Sequence, residues 1–411
     1  MATPNRWVIA GSGFLMQMAL GAVYAWSVFR NPLVERFHWS ISQVTLTFTI
    51  CIFVLGISAF FGGLWLNKSG PRVVALTGGF LYGLGVFLAS YSADKLWWLY
   101  LSYGVIGGIG LGFGYIVPVA VLLKWFPDRR GLITGIAVGG FGAGALVTAP
   151  AATRLIQSVG VLQTFADLGI AYLVVTMATG FLMQNPPAGW KPEGWTPKPS
   201  IAAQRSTIDY TLSTALGTWQ WWALWLLLFL NTTAGISLIS QEAPIFHEIA
   251  KVSAINAGVL VGIASIGNAF GRVFWAATSD FLTRRWTFVV MFLVQVVLFW
   301  MMTTVTTPSY LTEIAFGILM CYGGGFGTMP AFTADYFGSK NVGPIYGLML
   351  TAWGCASAFG PLLIAHLRQS TGSYSSGLRL IAAIMLVSIV GPIIVRPPRP
   401  KTATEPVAAA R

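Results

Sequence analysis

Charge is scarce in this chain. Only 9% of its 411 residues are Asp, Glu, Lys or Arg, where soluble domains carry about a quarter. A chain so short of charge cannot cover a soluble surface of this size. Cysteine is scarce too: Cys51, Cys321 and Cys355 all fall inside apolar stretches, so no disulfide framework is indicated. The three histidines, His38, His247 and His366, are scattered near the ends of apolar runs. They have neither metal-ligand spacing nor a neighbouring nucleophile, which argues against a metal site, a bound cofactor or a membrane enzyme. The net charge of +12 would suit nucleic acid, but the positive residues follow the ends of the apolar runs and form no basic patch, so no nucleic-acid partner is implied. What is abundant points to a lipid bilayer. The chain is 55% hydrophobic, with 47 Gly, 17 Trp and 27 Phe, the composition of packed membrane helices with interfacial aromatics.

Apolar runs of spanning length begin near residues 7, 42, 73, 96, 131, 164, 219, 255, 286, 310, 342 and 378. Backbone groups in lipid must be satisfied within the segment, so each run is expected to be a helix. Met1 to Arg6 shows no cleavable leader, and Trp7 opens the first span directly. Between the sixth and seventh runs lies a polar, proline-rich stretch beginning AsnProProAlaGlyTrpLysProGluGlyTrp at Asn185. The expected layout is a six-helix bundle over 1–184, a linker over 185–218, and a second bundle with a short tail over 219–411. Lys and Arg concentrate on the linker side, as Arg6, Lys68, Arg72, Lys124, Arg129, Arg130, Lys191, Lys198, Arg205, Arg284, Arg285, Lys340, Arg396, Arg399, Lys401 and Arg411. The other side holds fewer, Arg30, Arg36, Lys95, Arg154, Lys251, Arg368 and Arg379. The positive-inside rule then places the linker and both termini in the cytoplasm.

The two halves echo each other. GlyPheGlyTyrIleValPro (112–118) pairs with GlyPheGlyThrMetPro (325–330), and TrpPhe (125–126) with TyrPhe (336–337). Gly131 and Gly135 match Gly343 and Gly347, and Pro150 with Gln157 and Ser158 matches Pro361 with Gln369 and Ser370. Parallel six-span repeats of this kind enclose a site at the midplane between them.

One span carries a charge within its apolar length. Residues 255–280 hold Arg272 well before the terminal Asp280. A charge at membrane depth costs about 2.5–3.5 kcal/mol even on the lenient insertion scale, and so normally faces a protein interior or a cavity. Asn268 lies one turn before Arg272 and Ser265 three residues earlier, on the same helix face. All twelve acids, Glu242, Glu248 and Glu313 among them, fall in loops or near span ends. Nothing in the middle of the bundle then neutralises Arg272, and its planar fork suits a carboxylate bidentately. Tyr115 and Tyr322, in glycine-rich runs, are candidate donors to the cargo. Leu20, Tyr24 and Phe359 are candidate apolar walls, with Cys355 beside them in the eleventh span. An amide at Asn268 serves equally to bond a neighbouring helix, and Tyr115 and Tyr322 equally to pack, so the sequence leaves both readings open.

GlyLeuTrpLeuAsnLysSerGlyProArg (63–72) resembles the loop motif after span two of the major facilitator superfamily, with Asn67 where an acid is usual. LysTrpPheProAspArgArgGlyLeuIleThrGlyIleAla (124–137) is similar to the span-five signature of the monocarboxylate transporters. GlyAlaValTyrAlaTrpSerValPheArgAsnProLeu (21–33) resembles span one of the oxalate/formate antiporter group, and 271–280 resembles span eight of both. The resemblance implies an all-α membrane protein, twelve transmembrane helices in two pseudo-symmetric six-helix bundles of the major facilitator fold. It implies a carrier of small carboxylate anions with Arg272 as the carboxylate's partner, working as a monomer. It also implies a cytoplasmic gating motif made by Asn67, Lys68, Arg72, Asp128, Arg129, Arg130, Arg284 and Arg285. Three departures bear on the cargo. The animal transporters have an aspartate where Asn268 stands and a lysine near Val28, and the oxalate exchanger has a lysine near Trp353. This chain thus brings one buried cation, which balances one negative charge and favours a monocarboxylate such as lactate or pyruvate over oxalate. Proton-coupled symport is the expected mode, with Asp280, Asp335, Glu313 or His366 as proton sites. The alternative is anion exchange, because an uncompensated arginine resists crossing with its site empty.

Overall fold

The computed structural model describes residues 5–126, 130–187, 190–192, 209–338 and 341–398, and the regular elements among them are all helical. Among the described residues, twelve helices are long and apolar enough to cross a membrane. Spans one to six are Arg6–Phe37, Ile41–Leu66, Pro71–Tyr91, Leu96–Leu122, Gly135–Val159 and Val161–Phe181. Spans seven to twelve are Trp219–Ile249, Ala254–Leu282, Arg284–Met301, Pro308–Phe337, Pro344–Thr371 and Ser375–Ile394. Odd spans run from the end of the bundle that carries Arg6 toward the end that carries Phe37, and even spans return.

Local chemistry sets the span ends. Ser40 and Gln43 form a capping box at the start of span two, and the Ser253 hydroxyl accepts the Asn256 N–H at the start of span eight. Thr218 caps span seven in the same way. Pro71 and Pro308 open spans three and ten, where a missing N–H leaves no helix bond unmade.

Packing repeats with a shift of six spans. Spans two and four, three and four, and three and six are neighbours in the first half; eight and ten, nine and ten, and nine and twelve are neighbours in the second. The halves meet where span two packs on span eleven and span five on span eight, again one pairing shifted by six. Gly56 and Gly354 come together at the first seam, beside reciprocal bonds between Thr49 and Ser357 of 2.9 and 3.2 Å. Span one is interrupted by a tight 3-10 segment, Gly21–Trp26, halfway along its length. Most of the expected linker lies outside the described residues. Its end is a short helix, Leu212–Leu216, preceded by a bond from the Tyr210 N–H to the Phe337 carbonyl at 2.9 Å.

Candidate substrate-binding site

Spans eight and ten cross backbone to backbone, and this crossing fixes the site's cation. A Cβ on Gly323 would collide with the Asn268 carbonyl oxygen, and one on Gly327 with that of Arg272. With small residues at the seam, the helices approach closely enough to hold both side chains at a defined depth. Asn268 is 1% and Arg272 2% exposed. The Arg272 Nε donates to Asn268 Oδ1 at 3.3 Å, so the amide orients the guanidinium from one turn away. Nη1 and Nη2 are buried and make no hydrogen bond of good geometry among the described residues, although the Tyr115 and Tyr24 hydroxyls lie close enough to interact with the guanidinium. Ser265 bonds back to its own helix at the Gly262 carbonyl and takes no part.

Aromatic side chains from the other spans surround this fork. The Phe326 ring centroid lies 5.0 Å from the guanidinium carbon, a cation–π contact. Phe326 packs on Trp353 and Tyr322, with centroids at 4.9 and 5.2 Å. Tyr115 lies between Phe141 and Trp353 at 5.2 and 5.6 Å, and Tyr24 meets Phe141 at 5.1 Å. The Tyr24 and Tyr322 hydroxyls are 2.7 Å apart, joining span one to span ten. Tyr24, Tyr115 and Tyr322 are all within electrostatic reach of the guanidinium. The result is a buried aromatic cluster around one positive fork, with tyrosine hydroxyls beside it and no acid paired to it among the described residues, surroundings suited to a small anion with a short apolar body.

Most of the expected binding residues converge here. Leu20 is fully buried and packs against Gly114, next to Tyr115. Phe359 does not join them and is withdrawn as a wall: it is 47% exposed and its ring faces Phe229 at 6.1 Å. The inward register of span eleven runs through Trp353, Ser357, Gly360 and Ile364, which turns Phe359 outward. Cys355 is half-buried, on the far side of that helix from Trp353. Phe141, Phe326 and Tyr346 belong to the same surroundings and were not anticipated. The recurrence of GlyPheGly in both halves was the available signal for Phe326.

The expected proton sites lie elsewhere. Asp280 pairs with Arg284 at 2.6 Å, and Asp335 with the same guanidinium at 3.2 Å. Glu313 and His366 are exposed. In the expected gating motif, Arg72 reaches Gln184 at 3.4 Å and stacks over Phe181. Arg285 donates to the Pro392 carbonyl at 2.9 Å and also to that of Ile393. These contacts all stay within one half, and Lys68 is exposed. Asp128 and Arg129, and the side chains of Asn67 and Arg130, lie outside the described residues.

Two charged residues differ from expectation. Arg30, expected among the charges on the side away from the linker, is 1% exposed because span one continues through Pro32 to Phe37. Among the described residues, therefore, two arginines are buried, not one. Unlike Arg272, Arg30 is fully engaged. Nη1 donates to Gln241 Oε1 at 2.7 Å and to the Tyr374 hydroxyl at 2.6 Å, while Nε and Nη2 reach Asn31. Glu248 stands 3.6 Å from Arg30 and 2.7 Å from Arg368. This network clasps spans one, seven and eleven at the Phe37 end. Glu242 likewise lies inside span seven, 2% exposed, and not near a span end. The helix continues through Pro244 to Ile249 where the polar SerGlnGlu run read as a terminus.

The sequence profile of the Major Facilitator Superfamily matches residues 8–331 and 252–411. The chain is similar to the uncharacterized MFS-type transporter YhjX of Escherichia coli (strain K12), 29% identical over 360 residues, 86% of each chain. It is 27% identical to the oxalate:formate antiporter of Oxalobacter formigenes, over 90% of this chain and 86% of that one. It is 26% identical to monocarboxylate transporter 2 of Rattus norvegicus, over 90% and 78%. Among solved structures, a bacterial homologue of the human lysosomal transporter Spinster, inward-facing and unoccupied, superposes with a TM-score of 0.69. That alignment covers 96% of both chains at 15% identity and speaks to the fold alone. With the family profile extending over both halves and the spans paired alike in each, the chain belongs to the major facilitator superfamily, as an integral membrane transporter of twelve spans.

Proposed function

We propose that this transporter carries a small monocarboxylate of the lactate or pyruvate type, bound at Arg272 between the two halves and exposed to each side in turn. The observation that carries this reading is the Arg272 guanidinium, buried with neither Nη atom in a hydrogen bond of good geometry, beside an amide that holds its orientation. A carboxylate satisfies both donors at once. The aromatic enclosure takes the short alkyl group, and the hydroxyls of Tyr115 and Tyr322 suit a 2-hydroxyl or keto oxygen. Burial of Arg30 does not change the preference for one negative charge, because the Arg30 donors are engaged at the Phe37 end. Relatives named for monocarboxylates and for oxalate and formate agree with a carboxylate cargo.

The mode we favour is proton-coupled symport by a monomer in a bacterial inner membrane, with the Arg6 end and both termini facing the cytoplasm, as the distribution of Lys and Arg suggests. Exchange of one anion for another is the second reading. It draws on the same fork: a guanidinium with no protein anion beside it crosses the bilayer less readily empty than loaded.

Thermal unfolding of the purified protein with lactate, pyruvate, formate and oxalate tests the cargo, since a ligand bound to the folded state raises its apparent stability. Lactate and pyruvate should raise the midpoint more than oxalate. Arg272→Lys and Arg272→Ala should remain folded and lose both the stabilisation and the uptake of labelled lactate. Uptake retained by both variants would refute the site. Lactate uptake that needs internal anion and ignores a pH gradient would select exchange over symport.

A further inference from the structure

Span seven holds an acid that the Arg272 site does not use. Glu242 is 2% exposed, and its Oε1 has no hydrogen-bond partner. A bare carboxylate held this way is several kcal/mol worse than in water, whereas a neutral carboxylic acid is tolerated. Its two flanks are informative. On one side Gln241 accepts from Arg30 and donates to Thr45 at 3.0 Å, so this turn belongs to the clasp between the halves. On the other, Ala243 and Pro244 line a crevice of about 510 Å³ between spans one, five, seven and eight, with Glu35, Arg36 and His247 at its mouth. Glu242 thus sits one residue from the clasp and one residue from a route to the medium. Its helix face also carries Ile239 and Gly235, one and two turns toward the Arg6 end. Gly235 packs directly on Tyr322, beside Arg272.

Apart from Glu35, Arg36 and His247 at the crevice mouth, the neighbouring charged and titratable groups on the elements packed against span seven are engaged or exposed elsewhere. Arg30 and Tyr374 hold each other, and Arg368 holds Glu248. Arg379 stacks over Trp300, Glu313 and His366 are exposed, and Arg272 and Tyr322 lie at the pocket. Among the described residues none of these is hydrogen-bonded or ion-paired to Glu242.

We propose that Glu242 is the proton-carrying group of this transporter, neutral while the anion is bound and the bundle is closed around it, and ionised once the anion has left. The proposal rests on the symport reading above. In one uptake cycle the Glu242 carboxylate takes one proton from water at the Phe37 end and the monoanion settles on Arg272. Closure of the clasp then buries a carboxylic acid and a paired guanidinium. When the Arg6 end opens, the anion leaves, and the proton passes to water admitted along the Gly235–Tyr322 face. One proton and one monoanion cross together, and the empty carrier returns with the Glu242 carboxylate and the Arg272 guanidinium both charged, so that its net charge is the same loaded and empty.

The test uses the full-length protein in proteoliposomes with labelled lactate. Glu242→Gln fixes the neutral form. It should exchange lactate across the membrane without a gradient, since exchange moves no net proton, yet lose at least about ten-fold of the accumulation driven by an acid-outside gradient. Accumulation like that of the native protein would overturn the proposal and leave the symport reading standing. If the native protein itself ignores the gradient, symport fails and the proposal falls with it. Glu242→Asp keeps a titratable group in altered surroundings and decides the matter if the Gln variant does not fold. The pH of half-maximal uptake should shift, and an unmoved midpoint would count against Glu242.

Discussion

The Tyr24 and Tyr322 hydroxyls meet at 2.7 Å beside Arg272, and they come from opposite halves of the molecule. Movement of the halves about the site must therefore break or rebuild a buried hydrogen bond next to the cargo. A buried bond between neutral groups contributes about 0.5–1.5 kcal/mol, a two- to ten-fold bias between arrangements. Tyr24→Phe and Tyr322→Phe should each change the lactate concentration for half-maximal stabilisation by roughly that factor. The double variant should be no worse than the more affected single one. Additive losses would show that the hydroxyls do not act as a pair.

Phe326 offers its face to the guanidinium at 5.0 Å. Cation–π contacts in a desolvated site contribute about 0.5–2 kcal/mol. Phe326→Leu should then weaken lactate binding about two- to thirty-fold, while Phe326→Tyr, which keeps the ring, should retain most of the affinity. Isothermal titration with both variants checks this. Equal loss in the two would point to packing instead of the ring's charge distribution.

The spans were legible because a bilayer demands long apolar helices, and Arg272 was legible because a lone charge stands out within one. Arg30 and Glu242 were not. Each sits among polar neighbours and near a proline, Asn31 and Pro32 in one case and Gln241 and Pro244 in the other, so the run reads as a helix end. Spans one and seven in fact continue for 32 and 31 residues. Burial at their far ends comes from partners distant in sequence: Arg30 meets Gln241 and Tyr374, and no single span reveals that contact. The aromatic enclosure was hidden for the opposite reason. Phe141 looks like any buried aromatic until the other half brings Trp353 against it, and Phe326 until span eleven folds Trp353 onto it.

Tyr374, in the turn before span twelve, accepts from Arg30 at 2.6 Å. Burial pushes its phenol up to about 12, outweighing the opposing pull of the Arg30 guanidinium. Because the folded value lies above the unfolded one of about 10, the protonated phenol contributes fully below pH ~10, and that contribution is lost only as pH rises toward 12. Tyr374 therefore cannot supply a pH response near neutrality. Tyr374→Phe should lower or raise lactate uptake by one factor across pH ~5 to ~9, leaving the shape of the profile unchanged. A displaced acid limb in this variant would contradict that account of the clasp.

The crossing of spans eight and ten makes the sharpest structural prediction. Gly327 lies under the Arg272 carbonyl and Gly323 under that of Asn268, with no room for a Cβ at either. An added methyl must push the helices apart, and overpacking of this kind costs about 1–3 kcal/mol. Gly327→Ala should lower the unfolding midpoint in detergent and also weaken lactate binding, because the guanidinium moves with its backbone. Gly11→Ala is the matched control: nothing lies within 4 Å of the new Cβ, and alanine stabilises a helix over glycine by about 0.8–1 kcal/mol. Its midpoint should hold or rise slightly, with lactate affinity unchanged. If Gly327→Ala unfolds no earlier than Gly11→Ala, the close crossing is not what fixes Arg272 in place.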